Sequence, residues 1–115
     1  VAVSDDERPP TVIHEPIRTA PAGEPLTVTV QVRDPSGVAW VRLRYRSLTQ
    51  FQDYRTLEMC PTGRENEYAA TVPGEQIDPQ WDFMYLIEAM DACGNGTIYP
   101  DLEVETPYVV VRLER

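Results

Sequence analysis

Apolar and polar residues alternate with period two through most of the chain. Leu26, Val28, Val30 and Val32 point one way, and Thr27, Thr29, Gln31 and Arg33 the other, the pattern of a strand with one face buried and one in water. Val38 to Ser47 repeats it, with Val41, Leu43 and Tyr45 on one face and Trp40, Arg42, Arg44 and Arg46 on the other. Within Trp81–Thr97 the period-two set Tyr85, Ile87, Ala89 and Asp91 marks a central strand, around which the remainder is arranged. Glu67–Val72 turns Tyr68, Ala70 and Val72 inward, and Tyr108–Leu113 does the same with Val109, Val111 and Leu113. Two weaker segments complete the set: an edge strand over Pro9–Ile17, interrupted by Pro16, and a short strand over Tyr54–Met59.

The intervening segments carry turn chemistry. Asp34-Pro35-Ser36-Gly37 presets φ at Pro35 and closes on Gly37, and Cys93-Gly94-Asn95-Gly96 supplies residues that tolerate positive φ. Thr19–Pro25 reads as a turn, Leu48–Asp53 as a polar connection, Pro61–Asn66 as a loop, Pro73–Gln80 as a crossover and Thr97–Thr106 as irregular chain. The expectation is all-β: a seven-stranded antiparallel immunoglobulin-like Greek-key β-sandwich over residues 9–115, preceded by a linker at 1–8.

Composition sharpens this picture. A chain of 115 residues, 42% hydrophobic, is long enough for one cored domain, and its 11 Pro and 6 Gly suit many short strands rather than helices. A net charge of −9 repels phosphates, so neither nucleic acid nor insertion into an anionic membrane is expected. The sequence contains no long apolar run, no signal peptide and no initiating Met. Val1–Arg8 looks like a linker leading into Pro9-Pro10, so the chain reads as a segment of a longer protein.

Cys60 and Cys93 allow either one bridge or two free thiols. The expected topology puts both beyond strand ends on one edge of the sandwich, which favours the bridge. A zinc site would need about four ligands, and the one histidine, His14, lies far from both cysteines in sequence. No cofactor is expected.

Several motifs carry a resemblance. Tyr85-x-Ile87-x-Ala89-x-Asp91-x-x-Gly94 is similar to the sixth-strand pattern of fibronectin type III domains. Asp34-Pro35-Ser36-Gly37-Val38, followed by Val41-x-Leu43-x-Tyr45-Arg46, resembles the approach to their third strand and the strand itself. With Ala22-Gly23-Glu24-x-Leu26 and Glu67-Tyr68-x-Ala70-x-Val72-Pro73, the chain resembles the immunoglobulin-like accessory domains of bacterial secreted or cell-surface proteins. The resemblance implies a non-catalytic module of an exported protein, secreted, periplasmic or at the cell surface, that flanks carbohydrate-active or adhesive domains. The chain departs from the pattern in its two cysteines and its Pro100–Pro107 insertion, and it has no Arg-Gly-Asp tripeptide.

Candidate sites follow from residue type. Ser4, Ser36 and Ser47 lack a plausible histidine partner, and the acids scatter over turns and strand ends, so no catalytic residue is expected. Asp34, Asp91 and Asn95 fall in loops that a sandwich brings to one end, where hard cations gather oxygen ligands. The plainer reading is that these carboxylates accept turn N–H groups. Trp40, Tyr54 and Trp81 are the aromatic candidates for binding polysaccharide. Asn95-Gly96-Thr97 matches the N-glycosylation acceptor pattern, although Gly-Asn-Gly is also ordinary turn chemistry.

The sharpest expectation concerns the outer faces. One sheet turns threonines outward. The other turns out Trp40, Met84, Leu86, Met90, Tyr108 and Val110, interspersed with Arg42, Arg44, Arg46 and Glu88. Contiguous apolar surface of this kind marks interaction surfaces, so a neighbouring domain is expected to dock here, with Trp40 as anchor and the arginines as rim. The competing reading is that the arginine stems cover Trp40 and the methionines within the domain itself.

Overall fold

A computed structural model of the chain describes residues 9–47, 54–77, 82–100 and 108–114. These form ten strands: β1 (Thr11–Ile13), β2 (Thr19–Pro21), β3 (Leu26–Arg33), β4 (Val38–Ser47), β5 (Arg55–Glu58), β6 (Cys60–Pro61), β7 (Glu67–Val72), β8 (Phe83–Asp91), β9 (Gly96–Tyr99) and β10 (Val109–Glu114). They build two sheets. The first runs β1-β3-β7-β6; the second runs β2-β10-β8-β4-β5, with β9 also on β8. The all-β sandwich is as the alternation implies.

Every inward set meets between the sheets. Val28, Val30 and Val32 of β3 face Val41, Leu43 and Tyr45 of β4, with Phe83, Tyr85, Ile87 and Ala89 of β8 and Val109, Val111 and Leu113 of β10. All are 2% exposed or less except Leu113, at 4%. Each valine, leucine, isoleucine or phenylalanine among them contributes roughly 1.5–3 kcal/mol of transfer free energy when removed from water. β8 is central, as expected: β4 pairs along its whole length, while β10 and β9 share its other side.

Three strand segments lie where turns or loops were expected. Thr19–Pro21 is β2, pairing in parallel with Arg112–Glu114, because an edge position tolerates Pro21 with no ladder donor. Gly96–Tyr99 is β9, folding straight back on β8 after the turn so that Ile98 lies beside Glu88. Cys60–Pro61 adds β6 beside Ala69 and Tyr68 of β7. The first strand is also shorter than expected, since the chain leaves the first sheet after Ile13 and joins the second at Thr19.

The turns at one end follow their residue chemistry. Gly37 adopts φ 96° and donates its N–H to the Asp34 carbonyl, and Gly94 adopts φ 89° in the turn that links β8 to β9. A different glycine is fixed by space: a Cβ on Gly74 would collide with the Gly23 carbonyl, where the segment after β7 crosses the β2–β3 turn. The linker at 1–8 and Trp81 lie outside the described residues.

Candidate interaction face

The outward face of the second sheet is set by the register of β4 on β8. Trp40 lies opposite Met90, Arg42 opposite Glu88, Arg44 opposite Leu86 and Arg46 opposite Met84. An irregularity between Val38 and Trp40 starts this alternation one residue out of step with the preceding turn. On the other flank of β4, Arg42 faces Glu58 and Arg44 faces Thr56 of β5. The sequence thus assembles the expected face, but not as an apolar patch.

Its arginines lie along it. The Arg42 guanidinium sits 4.0 Å from the Trp40 ring centroid, while its Nε donates to Glu58 Oε1 at 2.9 Å. Arg44 Nη1 reaches Glu88 Oε1 at 3.3 Å. The Arg44 and Arg46 guanidinium groups lie 5.3 and 5.2 Å from the Tyr54 ring. The result is a ladder in which Arg42 and Arg44 are each shared between a carboxylate and an aromatic ring, and Arg46 joins Arg44 at Tyr54. Exposed cation–π contacts are worth about 0.5–1 kcal/mol and exposed ion pairs about 0–1 kcal/mol, so the ladder's value lies mainly in covering apolar surface with arginine stems.

Met84, expected on the exposed face, is 1% exposed. By strand register it belongs to the outward set, between Arg46 on β4 and Val110 on β10, yet it is buried there. Trp40, Leu86, Met90 and Tyr108 are partly buried. Among the described residues, clear exposure of large apolar side chains on this sheet is confined to Val110 and Ile98, at 37% and 41%. Ile98 could not be foreseen, because β9 was read as irregular chain.

The loop carboxylates do come together. Asp34 Oδ1 accepts from the Ser36 N–H and hydroxyl. Asp91 Oδ1 accepts the N–H groups of Cys93 and Asn95, and its Oδ2 accepts Asn95 Nδ2. Asp91 lies under its own turn, out of contact with water yet with little protein beyond that turn. Burial pushes its carboxyl up, but the Asn95, Cys93 and Asp34 hydrogen bonds outweigh this and hold it below the usual range. Asp34 Oδ1 and both Asp91 oxygens are thus committed to turn donors, whereas Asp34 Oδ2 is buried without a hydrogen-bond partner among the described residues. Among the described residues, no group of three or more His, Cys, Asp or Glu side chains is placed to hold a metal ion.

The glycosylation pattern is engaged in the same turn, since Asn95 donates to Asp91 and Thr97 Oγ1 donates to the Pro10 carbonyl at 2.7 Å. Cys60 and Cys93 are not joined by the bridge that was expected. They do not share an edge: Cys60 pairs beside Ala69 within the first sheet, whereas Cys93 lies in the turn beyond β8 of the second. Trp81, the third aromatic candidate for polysaccharide, lies outside the described residues. No protein-family model matches the chain, and no curated protein matches it.

Proposed function

We propose that the chain is an immunoglobulin-like, fibronectin type III-like sandwich serving as a non-catalytic accessory or spacer module of a larger exported protein, of the bacterial secreted or cell-surface kind. Support for that fold reading comes from strand order. The seven strands expected from the sequence correspond to β1, β3, β4, β5, β7, β8 and β10, split as β1-β3-β7 and β10-β8-β4-β5. The three additional segments extend sheet edges or share one side of β8.

The observation that carries the spacer reading is where the described chain enters and leaves. Thr11 pairs beside Arg33, at the end that holds the Asp34–Gly37 turn. Glu114 pairs beside Pro21 at the opposite end, where its carbonyl accepts the Ala22 N–H. Segments joined at the two ends are held apart by the length of a ten-residue strand such as β4, about 30 Å at ~3.3 Å per residue. A self-covered outer face agrees with a part that separates its neighbours rather than gripping one of them through Trp40.

Two measurements test this. Spin labels at Pro9 and Glu114, in a background with Cys60→Ser and Cys93→Ser, should give a single narrow distance of about 30 Å or more; a short or broad distribution contradicts rigid spacing. Affinity electrophoresis through polysaccharide-containing gels should leave migration unchanged. Retardation abolished by Trp40→Ala would instead favour the alternative, a carbohydrate-binding module that uses exposed aromatics.

A further inference from the structure

The segment joining the sheets, between β1 and β2, is pinned by its one histidine. β1 stops at Ile13, and the next residue, His14, places Nδ1 2.7 Å from the Thr29 carbonyl of β3. The ring thus gives that carbonyl what a strand amide would have given. A carbonyl only accepts, so Nδ1 carries the proton and Nε2 presents a lone pair. Nε2 lies 2.6 Å from the Tyr85 hydroxyl of β8. That hydroxyl donates to Nε2 and accepts the Ile17 N–H at 3.0 Å. One neutral imidazole therefore ties the first sheet, the second sheet and the segment between them. Each polar atom of the chain Thr29–His14–Tyr85–Ile17 is satisfied in one tautomer.

We infer that His14 is a pH-operated pin: neutral, it holds the segment from Pro9 to Ile17 across the seam between the sheets, and protonated, it lets that segment go. The added proton would sit on Nε2, aimed at an oxygen that is itself donating to Nε2. The Tyr85 hydroxyl would then have to turn its hydrogen away from the ring within a half-buried site. Its own proton is not released instead, because burial, first among its influences, pushes the Tyr85 hydroxyl up to about 12.

The surroundings offer the imidazolium little. From β8 and β9 it meets the edge-on rings of Tyr85 and Tyr99, with centroids 5.6 and 5.3 Å away. From β3 it meets the Thr29 carbonyl, and on its own segment Glu15 exerts an attraction. Arg18 acts on the Tyr85 hydroxyl. Burial outweighs the favourable influences of Thr29 and Glu15, so His14 titrates below its ordinary 6.5. A histidine that titrates lower when held than when free contributes stability that is fully present above the free value. That stability declines as pH falls below 6.5 and is lost once pH reaches the lowered value.

What the pin holds is slight in itself. β1 contributes three residues to β3, and Pro10 is fastened through Thr97. Release would uncover the edge of β3 while leaving β4 and β8 intact, a local opening of the kind that short edge segments undergo.

The test uses the intact chain, whose single histidine gives one set of imidazole resonances. Proton NMR should place its midpoint below 6.5. The Ile17 amide exchange rate, corrected for its intrinsic pH dependence, should rise about 10-fold or more between pH ~7.5 and ~5, with the Leu43 amide still protected. A midpoint at or above 6.5, or an Ile17 amide equally protected at both pH values, overturns the inference. His14→Gln keeps a donor and an acceptor without the titration, and its Ile17 exchange should be flat across the same range; an acid step surviving in that variant also overturns it. If that variant does not fold, Tyr85→Phe should expose the Ile17 amide already at neutral pH, and continued protection there counts against the pin.

Discussion

The outer faces of the two sheets meet the same water by different means. β3 turns out Thr27, Thr29 and Arg33, short or well-hydrated groups that need only neighbours of their own kind; Thr27 and Thr71 share a 2.9 Å hydrogen bond across the β3–β7 pair. β4 and β8 turn out a tryptophan, a leucine and two methionines, and cover them with arginine stems held by Glu58, Glu88 and two aromatic rings. The first face is polar residue by residue. The second is polar only as an assembly, because its hydration depends on where the arginines lie. Counting residue types along a strand therefore describes the first face well and misjudges the second.

That contrast has measurable edges. Met84→Ala should be the most damaging outward substitution, costing about 2–3 kcal/mol because a fully buried methionine leaves a cavity. Thr29→Ala at an outward position of β3 should cost under ~0.5 kcal/mol. Urea unfolding of the pair checks this, and equal effects would erase the distinction between the faces. Trp40→Ala should follow at about 1–2 kcal/mol, from lost packing under Arg42. Arg42→Ala should cost about 0.5–1 kcal/mol, part of it screened away at high salt, since its Glu58 partner is exposed. Thr27→Ala, at about 0.2–0.5 kcal/mol, should be insensitive to salt. Salt dependence confined to the second face would sharpen the comparison; its appearance on both would blur it.

The same contrast explains what was legible in the sequence. Strands β3, β4, β8 and β10 could be read because one period-two pattern decides both their existence and their inward face. β9 was hidden because Gly96-Thr97-Ile98-Tyr99 sits between turn residues and Pro100, and only its pairing with β8 makes it a strand. β2 was hidden for a related reason: it is three residues long and gains its partner from the far end of the chain.

On the outward face, the β4–β8 register sets Trp40 opposite Met90 and Arg44 opposite Leu86, while Met84 is buried. Whether Trp40 is bare or covered depends on the reach of Arg42, two residues along, and on Glu58 across the β4–β5 pair. Asp34, Asp91 and Asn95 lie in neighbouring turns, where turn donors occupy Asp34 Oδ1 and both Asp91 oxygens. The His14 network left no trace at all, since its partners Thr29 and Tyr85 stand 15 and 71 residues away.

The most direct test of a face covered from within is the accessibility of Trp40 itself. With Trp81→Phe, Trp40 is the one remaining indole of the chain's two, and acrylamide quenching reports on it alone. Quenching should be well below that of a free indole and should rise about twofold when Arg42→Ala removes the guanidinium from the ring. A Trp40 quenched as readily as free indole, and no more so after Arg42→Ala, would mean that the ladder does not cover the face and that its aromatic surface is open to a partner.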